Sequence, residues 1–539
     1  MKKTLLVLLL ILSLLLSSCG ADLSDPGDSS GTVDSGDTSQ DPSGSPSEDT
    51  DDAPAQDGSG DSAECSSHVD NDESGRCDRC YASVIVTFDF YTLNDFHGKF
   101  FDSDSQYGVD EMTTYLKTVA EKDEHPILMS SGDMWQGSAE STATRGAIIT
   151  DWMNALGFVS MTLGNHEYDW GEELIEENAQ IADFPLLAIN VYDKSTNQRV
   201  EYAESSIIVE RGGVKIGIIG AMGDCYSSIM SSRVEDVYFK TGKELSQLVK
   251  EESRRLRSEG VQIIVYSLHD GFDSSSYNNK IIPNSKLGYY DHTLSSGGFV
   301  DLVFEAHTHQ KYVMKDTYGI YHLQGGGDNE GLTHAEMVFN TVTSGKRIND
   351  AAFVSGSVYS SMDDDPLIEQ LSDKYSSELG EIFKPLGKNA YNKSGDYMRS
   401  LVARLYLELG ERVFSEYDIV LGGGFISIRD PYYLPAGDVS YSDLSMLFPF
   451  DNQIVLCSVS GKSLKEKFIE TNNSNYYVAY GEYGEQIKSK IDTDATYYII
   501  VDTYTAQYAP NNLTIVEEYL PGVYARDLIA EYIRSGGLS

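Results

Sequence analysis

The chain is short of positive charge and of long apolar runs. Lys and Arg total 40 against 84 Asp and Glu, a formal net charge of −44 over 539 residues. A surface so acidic repels a phosphate backbone, which argues against a nucleic-acid polymer as substrate. It leaves a small phosphate ester open, because bound cations dominate the field around themselves. The one greasy run, Leu5 to Leu16 broken only by Ser13, falls well short of the ~20 residues a spanning helix needs. Residues 20–64 contain no Lys or Arg and almost no large apolar side chain. Such a segment cannot bury enough surface to offset its ordering entropy and reads as a disordered acidic Ser/Asp/Gly tether. Beyond it, a hydrophobic content of 40% with 36 Tyr supports true cores, and the length allows two or three domains.

The start of the chain has the layout of an export signal. Lys2 and Lys3 precede the greasy run, and Ser17, Ser18 and Cys19 follow it. Leu16-Ser17-Ser18-Cys19 resembles a bacterial lipoprotein processing site. Residues 1–18 are then a signal peptide and Cys19 the lipidated first residue of a tether over 19–64, anchoring the protein at the cell surface or membrane. The alternative is an ordinary signal with a bystander cysteine. Over 65–82, Cys65-x-x-His68 and Cys77-x-x-Cys80 pair ligands as a small tetrahedral zinc site does. A disulfide with His68 incidental is the competing reading, against which stands that three cysteines cannot all pair.

Five segments between residues 94 and 309 place Asp, His or Asn beside a glycine or at the end of an apolar, β-branched run. They are Asn94-Asp95-Phe96-His97-Gly98, Gly132-Asp133, Gly164-Asn165-His166-Glu167, His269-Asp270-Gly271 and His307-Thr308-His309. Strand ends followed by tight loops are where an α/β sheet presents side chains to a ligand. Carboxylate, imidazole and amide donors without thiolate suit a hydrolytic site for Zn²⁺, Mn²⁺ or a similar ion. Two ions about 3.5–4 Å apart need a bridging carboxylate, for which Asp133 is the candidate. Asp95, His97 and His309 then complete one metal site, and Asn165, His269 and His307 the other. An extended segment would let His307 and His309 diverge to separate ions.

His166 follows the ligand Asn165, and Asp169 is placed to orient its ring. A positioned imidazolium neutralises developing phosphoryl charge or protonates a leaving oxygen. The alternative is that His166 packs structurally and Asp169 caps the helix beginning near Gly171.

These motifs resemble those of the calcineurin-like metallophosphoesterases, specifically the 5′-nucleotidase family. Its Asn-Asp-x-His-Gly opening is matched at 94–98 and its Gly-Asn-His-Glu-x-Asp-x-Gly core at 164–171. The resemblance runs over roughly residues 84 to 535. It implies an α/β fold, a four-layer αββα sandwich over 83–345, followed after a linker at 346–385 by a mixed α+β C-terminal substrate domain over 386–539. It also implies the two-metal site above and a His166–Asp169 dyad. Strands expected at Ile127–Met129, Ile207–Val209, Val214–Ile219, Ile263–Tyr266 and Val300–Phe304, with helices between them such as Lys243–Ser258, agree with that architecture.

In the family, the C-terminal domain holds the nucleotide through an Asn-Gly-Gly-Gly-x-Arg segment and two aromatics that clamp the base. Gly423 and Gly424 match the glycines, and Phe450 and Tyr504 the aromatics. Leu421 replaces the Asn and Ile426 stands where the Arg belongs, with Arg429 three residues later. The resemblance implies an exported two-metal phosphohydrolase releasing phosphate from nucleotides. The rival activities are cyclic-nucleotide phosphodiesterase or 3′-nucleotidase and nucleotide-sugar hydrolase. A catalytically silent surface-binding lipoprotein is the rival from another class.

Overall fold

The computed structural model describes residues 65, 67–102, 107–272, 290–429, 433–507, 511–519 and 522–538. The expected signal peptide, the lipidated Cys19 and the tether over 19–64 lie outside them. No described helix is long and apolar enough to cross a membrane.

Residues 85–355 build two six-stranded sheets laid face to face. The first runs in the order Lys346–Ser355, Gly331–Asn340, Ile85–Leu93, Pro126–Ser130, Ser160–Thr162, Leu186–Leu187. The second runs Lys311–Lys315, Tyr321–Gly325, Leu302–Glu305, Ile263–His269, Val214–Met222, Ser206–Arg211. The central strands of each pair in parallel, joined by helices that cover the outer faces.

Alternation of side chains along each strand assembles the layers. Phe88, Phe90, Ile127 and Met129 of the first sheet meet Ile263, Val265 and Phe304 of the second in one buried cluster. The residues between them point outward. Tyr91, Leu93 and Leu128 pack under Met112 and Leu116 of helix Asp110–Lys122 and Trp152 of helix Ala147–Leu156. On the other side Ile264, Tyr266 and Leu268 pack under Leu245 and Val249 of helix Lys243–Ser258. The result is a four-layer αββα sandwich, as the resemblance implies.

Residues 385–538 form a mixed α+β unit around a five-stranded sheet, ordered Tyr476–Tyr480, Ile419–Phe425, Thr496–Asp502, Ile454–Ser460, Leu513–Glu518. Helix Gly395–Val413 lies on one face, where Leu401, Tyr406 and Leu409 meet Leu456 and Ile500. Its approach is close. A Cβ on Gly422 would stand 2.2 Å from the Leu407 nitrogen.

The segment read as a linker over 346–385 departs from expectation. Lys346–Ser355 is the edge strand of the first sheet, paired with Gly331–Asn340, and helices Pro366–Lys374 and Ser376–Ile382 press Ile368, Leu371, Leu379 and Ile382 onto the sandwich. An edge strand exposes one side of its ladder, so it needs few apolar residues and gives a weak signal. Val300 also falls outside its expected strand, which begins at Leu302.

Candidate metal centre

The first group of ligands forms where the Ile85–Leu93 strand ends. Asp95 and His97 have φ of 48° and 54°, a left-handed backbone that non-glycine residues adopt only where surrounding bonds hold them. The Asp95 N–H donates to the Gly132 carbonyl at 2.9 Å and the His97 N–H to that of Asp133 at 3.0 Å. His97 Nδ1 lies 2.8 Å from the Gln136 carbonyl oxygen, so Nδ1 carries the proton and Nε2 the lone pair. That lone pair meets Nε2 of His309 at 3.2 Å, and His309 Nε2 is 3.7 Å from Asp95 Oδ1.

The second group gathers at the ends of Pro126–Ser130 and Ile263–His269. His269 donates its Nδ1–H to the Ser131 carbonyl at 2.7 Å. This turns Nε2 towards Asp133 Oδ2 at 3.1 Å and Asn165 Oδ1 at 3.2 Å. The His307 ring lies 5.7 Å from that of His269. The His307 backbone N–H donates to both Asp95 carboxylate oxygens, at 2.9 and 2.8 Å. Asp95, His97 and His309 present ligand atoms within 4.8 Å of one another, as do Asp95, Asp133 and His269. The two groups therefore adjoin through Asp95.

The donor set fits divalent ions. An imidazole lone pair, a carboxylate and an amide oxygen face one buried point, and such a point needs a positive charge. Burial works against a charged His269, yet Asp133 pushes its pKa up to about 10, so a proton sits there until a metal ion displaces it. His97 and His307 fall to about 3, through burial and the imidazoles beside them, and stay neutral as ligands must. Cys225 approaches His269 and His307, but its thiol donates to the His269 carbonyl at 3.0 Å. Burial holds its pKa well above the usual thiol value.

His307 and His309 do reach separate groups, but not from an extended segment. Their φ values of 67° and 52° fold the chain into a left-handed turn, which the Asp95 carboxylate holds by accepting the His307 N–H.

His166 opens a short 3₁₀ turn, His166–Trp170. Its N–H donates to Asp133 Oδ1 at 2.8 Å, and its Nδ1 lies 2.8 Å from Asp169 Oδ2. Burial disfavours the charged ring, but the Asp169 and Asp133 carboxylates outweigh it and raise the pKa to about 9. The ring centroid stands 5.1 Å from that of His97. Asp169 thus faces the His166 ring, and the cap of the following helix is Gly171 without a side-chain bond.

No family model matches the chain. Among curated proteins, Protein UshA of Yersinia enterocolitica is 26% identical over 71% of this chain and 76% of its own length. The 5′-nucleotidase of Vibrio cholerae is 29% identical over 33% of this chain and 32% of its own. The crystal structure of the 5′-nucleotidase precursor from Thermus thermophilus superposes with a TM-score of 0.60 at 17% identity, covering 84% of this chain and 96% of that one. These likenesses support a 5′-nucleotidase-like chain with a metallophosphoesterase domain.

The metallophosphoesterase sandwich of this 5′-nucleotidase relative carries site residues whose roles were not legible in the motifs. Glu167, fully buried, accepts the N–H groups of Gly164 at 2.7 Å, Asp133 at 2.9 Å, Met134 at 2.8 Å and Trp135 at 3.3 Å. One carboxylate so ties the Asp133 loop to the Asn165 loop. Asp328 donates its N–H to the Asp95 carbonyl at 2.8 Å and pairs with Lys99 at 3.5 Å. Burial opposes its charge, but His97 and Lys99 hold its carboxyl down to about 2.

The C-terminal unit reaches the centre through the loop at 447–451. Phe450 lies 6.5 Å from the His166 ring, nearly parallel to it, and the Arg429 guanidinium sits 5.1 Å over Phe450. Gln136 donates to the Pro449 carbonyl at 2.7 Å, and Trp170 Nε1–H to Asp451 Oδ2 at 2.6 Å. Tyr504, partly exposed, has its ring 5.3 Å from Phe425. Gly423 and Gly424 lie inside the Ile419–Phe425 strand with φ of 122° and 145°. A Cβ on them would strike the Tyr477 carbonyl oxygen and the Thr505 side chain. Their smallness is used by the chain's own packing, so a substrate contact there rests on the family pattern. Ile426 is buried in the hydrophobic core, which removes that position from the substrate side.

Proposed function

We propose that the chain is a two-metal phosphohydrolase acting on nucleotides. Asp133 would be the carboxylate shared by two divalent ions, with Asp95, His97 and His309 available to hold one and Asn165, His269 and His307 the other. The observation that carries this reading is the convergence of carboxylate, imidazole and amide donors from the strand ends of both sheets beside the His166–Asp169 pair. When bound, such a pair of ions activates water and neutralises charge developing on a transferred phosphoryl group.

The remaining work falls to the chain. His166, charged at neutral pH, spends Nδ1–H on Asp169 and keeps Nε2–H for a phosphoryl or leaving-group oxygen. Asp169 fixes the tautomer and stabilises the imidazolium. Arg429, exposed above Phe450, has the planar fork that suits bidentate contact with phosphate or carboxylate-like oxygens. Phe450 and Tyr504 offer aromatic faces to a planar base. With Cys19 lipidated, the enzyme would stand outside the cytoplasm and release nucleosides for import.

Phosphate release across 5′-nucleotides, 3′-nucleotides, cyclic nucleotides, nucleotide sugars and a generic ester, alongside metal analysis, tests the proposal. Preference for 5′-nucleotides is expected, with about two metals per chain at the hydrolytic centre. Asp133→Asn removes charge from both ions and should abolish turnover. Full activity in a metal-loaded Asp133→Asn protein would sink the assignment.

A further inference from the structure

Residues 65–82 fold with almost no apolar core. Among those described, only Asp70, Gly75 and Cys77 are buried, and Tyr81 is 73% exposed. A segment so small and so polar holds a shape only when a metal or a covalent bond supplies what hydrophobic burial does not. Four side chains meet inside it. Cys65 Sγ stands 3.8 Å from Cys77 Sγ, Cys80 Sγ stands 3.4 Å from His68 Nδ1, and all four ligand atoms lie within 4.8 Å of one another. Those spacings have a geometric meaning. Zn–S bonds of ~2.3 Å and Zn–N bonds of ~2.0 Å in a tetrahedron put sulfurs about 3.8 Å apart and sulfur about 3.5 Å from nitrogen. A disulfide would need its sulfurs at about 2.05 Å.

We infer that Cys65, His68, Cys77 and Cys80 hold one structural zinc ion in a closed Cys₃His tetrahedron, distinct in its ligands from the hydrolytic centre. Three thiolates and one imidazole fill every position, which leaves none open for water or substrate. Thiolate donors also select zinc over the harder ions that carboxylates take. Binding drives the thiol protons off, so metal loading and folding of the segment are one event.

The knot is fastened to the sandwich. The buried Asp70 carboxylate accepts the Gly75 N–H at 3.0 Å and the Asn340 side-chain N–H at 2.6 Å. The Val84 N–H donates to the Gly75 carbonyl at 3.0 Å, and Arg76 bridges Ser83 across the turn. Asn340 is the partner of Ile85 in the ladder, and Ile85 begins the strand that ends at Asp95. The zinc knot therefore pins the first residues of the Asp95-bearing strand.

Zinc-edge X-ray absorption on the purified full chain tests this. Sulfur scatterers at about 2.3 Å are expected, and their loss in Cys77→Ser/Cys80→Ser assigns them to this module rather than to Cys225 beside the hydrolytic centre. Cys77→Ser/Cys80→Ser should carry one zinc fewer than wild type and be cut by protease between residues 65 and 84. It should hydrolyse a small phosphate ester at an unchanged rate. A zinc shell free of sulfur in wild type, equal zinc in wild type and variant, or a Cys65–Cys77 disulfide in a peptide map would each overturn the assignment. These results are separable from failure of the phosphohydrolase reading, which would change turnover and leave the sulfur shell in place.

Discussion

Arg526→Met should destabilise the C-terminal unit by roughly 3–5 kcal/mol, the cost of leaving a buried carboxylate without its partner. Arg526 and Asp451 form an ion pair with side chains 1% and 2% exposed. The guanidinium also donates to the Phe448 carbonyl at 3.1 Å, the Phe450 carbonyl at 3.4 Å and the Tyr441 hydroxyl at 3.1 Å. With Met in its place, Asp451 keeps the Trp170 N–H but loses its ion-pair partner. For a unit of this size the melting temperature should fall by about 6–20 °C. Asp451→Asn/Arg526→Met removes the stranded charge as well, so it should be more stable than Arg526→Met alone, with a coupling of roughly 1–3 kcal/mol.

Guanidinium unfolding of the full chain, with chelator throughout so that metal linkage is equal, measures all corners of the cycle. Function adds a second readout. The loop at 447–451 places Phe450 against His166, so Arg526→Met should raise KM for a nucleotide more than it lowers kcat on a small phosphate ester. A loss below about 1 kcal/mol, or zero coupling in the cycle, would refute the argument that this pair holds the loop.

His166→Ala should lower turnover by roughly 10²–10⁴-fold with metal content and melting temperature near wild type; a collapse in stability would favour a packing role for the ring. His322, fully buried, has Nδ1 2.7 Å from Glu305 Oε1 and Nε2 3.9 Å from Asp316 Oδ2. Burial opposes its charge, but Glu305 and Asp316 raise its pKa to about 8, above an unfolded value of ~6.5. Its stabilisation, about 2 kcal/mol at ~1.4 kcal/mol per pKa unit, is therefore complete below pH ~6.5 and lost as pH rises through about 8. The stability difference between wild type and His322→Gln should shrink between pH 6 and pH 9, and a flat difference over that window would count against the charged ring.

Burial on both faces explains which elements could be read. Ile263–His269 is buried at every position, and its opening Ile263-Ile264-Val265-Tyr266 run announces a central strand. The helix Lys243–Ser258 presents one buried stripe, Leu245, Val249 and Leu256, at the helical period. Lys346–Ser355 has polar residues in mid-strand, Asn349 and Asp350 among them, and no fully buried position. Nothing in such a stretch distinguishes an edge strand from a connection. The candidate donors stood out because metal chemistry needs rare donor types, here set beside glycine. Arg526 and Asp451 were not, since the pair spans 75 residues and the Trp170 contact spans 281, and neither residue sits in a motif.

Local backbone preference fails at the residues that carry the chemistry. Asp95, His97, Asp133, His307 and His309 all have positive φ, each a conformation that costs of order 1–3 kcal/mol. What offsets the cost is remote in sequence. Asp95 leans on Gly132, His97 on the carbonyls of Asp133 and Gln136, His307 on the Asp95 carboxylate, and the Asp133 loop on Glu167. Each contact joins one strand end to another, so no loop can hold its ligand until the neighbouring strand is in register beside it. The turn that aims Asp95 at a metal is thus a product of the assembled sandwich rather than of its own five residues. That is why residue type pointed to the candidate donors, whereas their left-handed geometry, which places His307 and His309 in different groups, could be seen only in the folded chain.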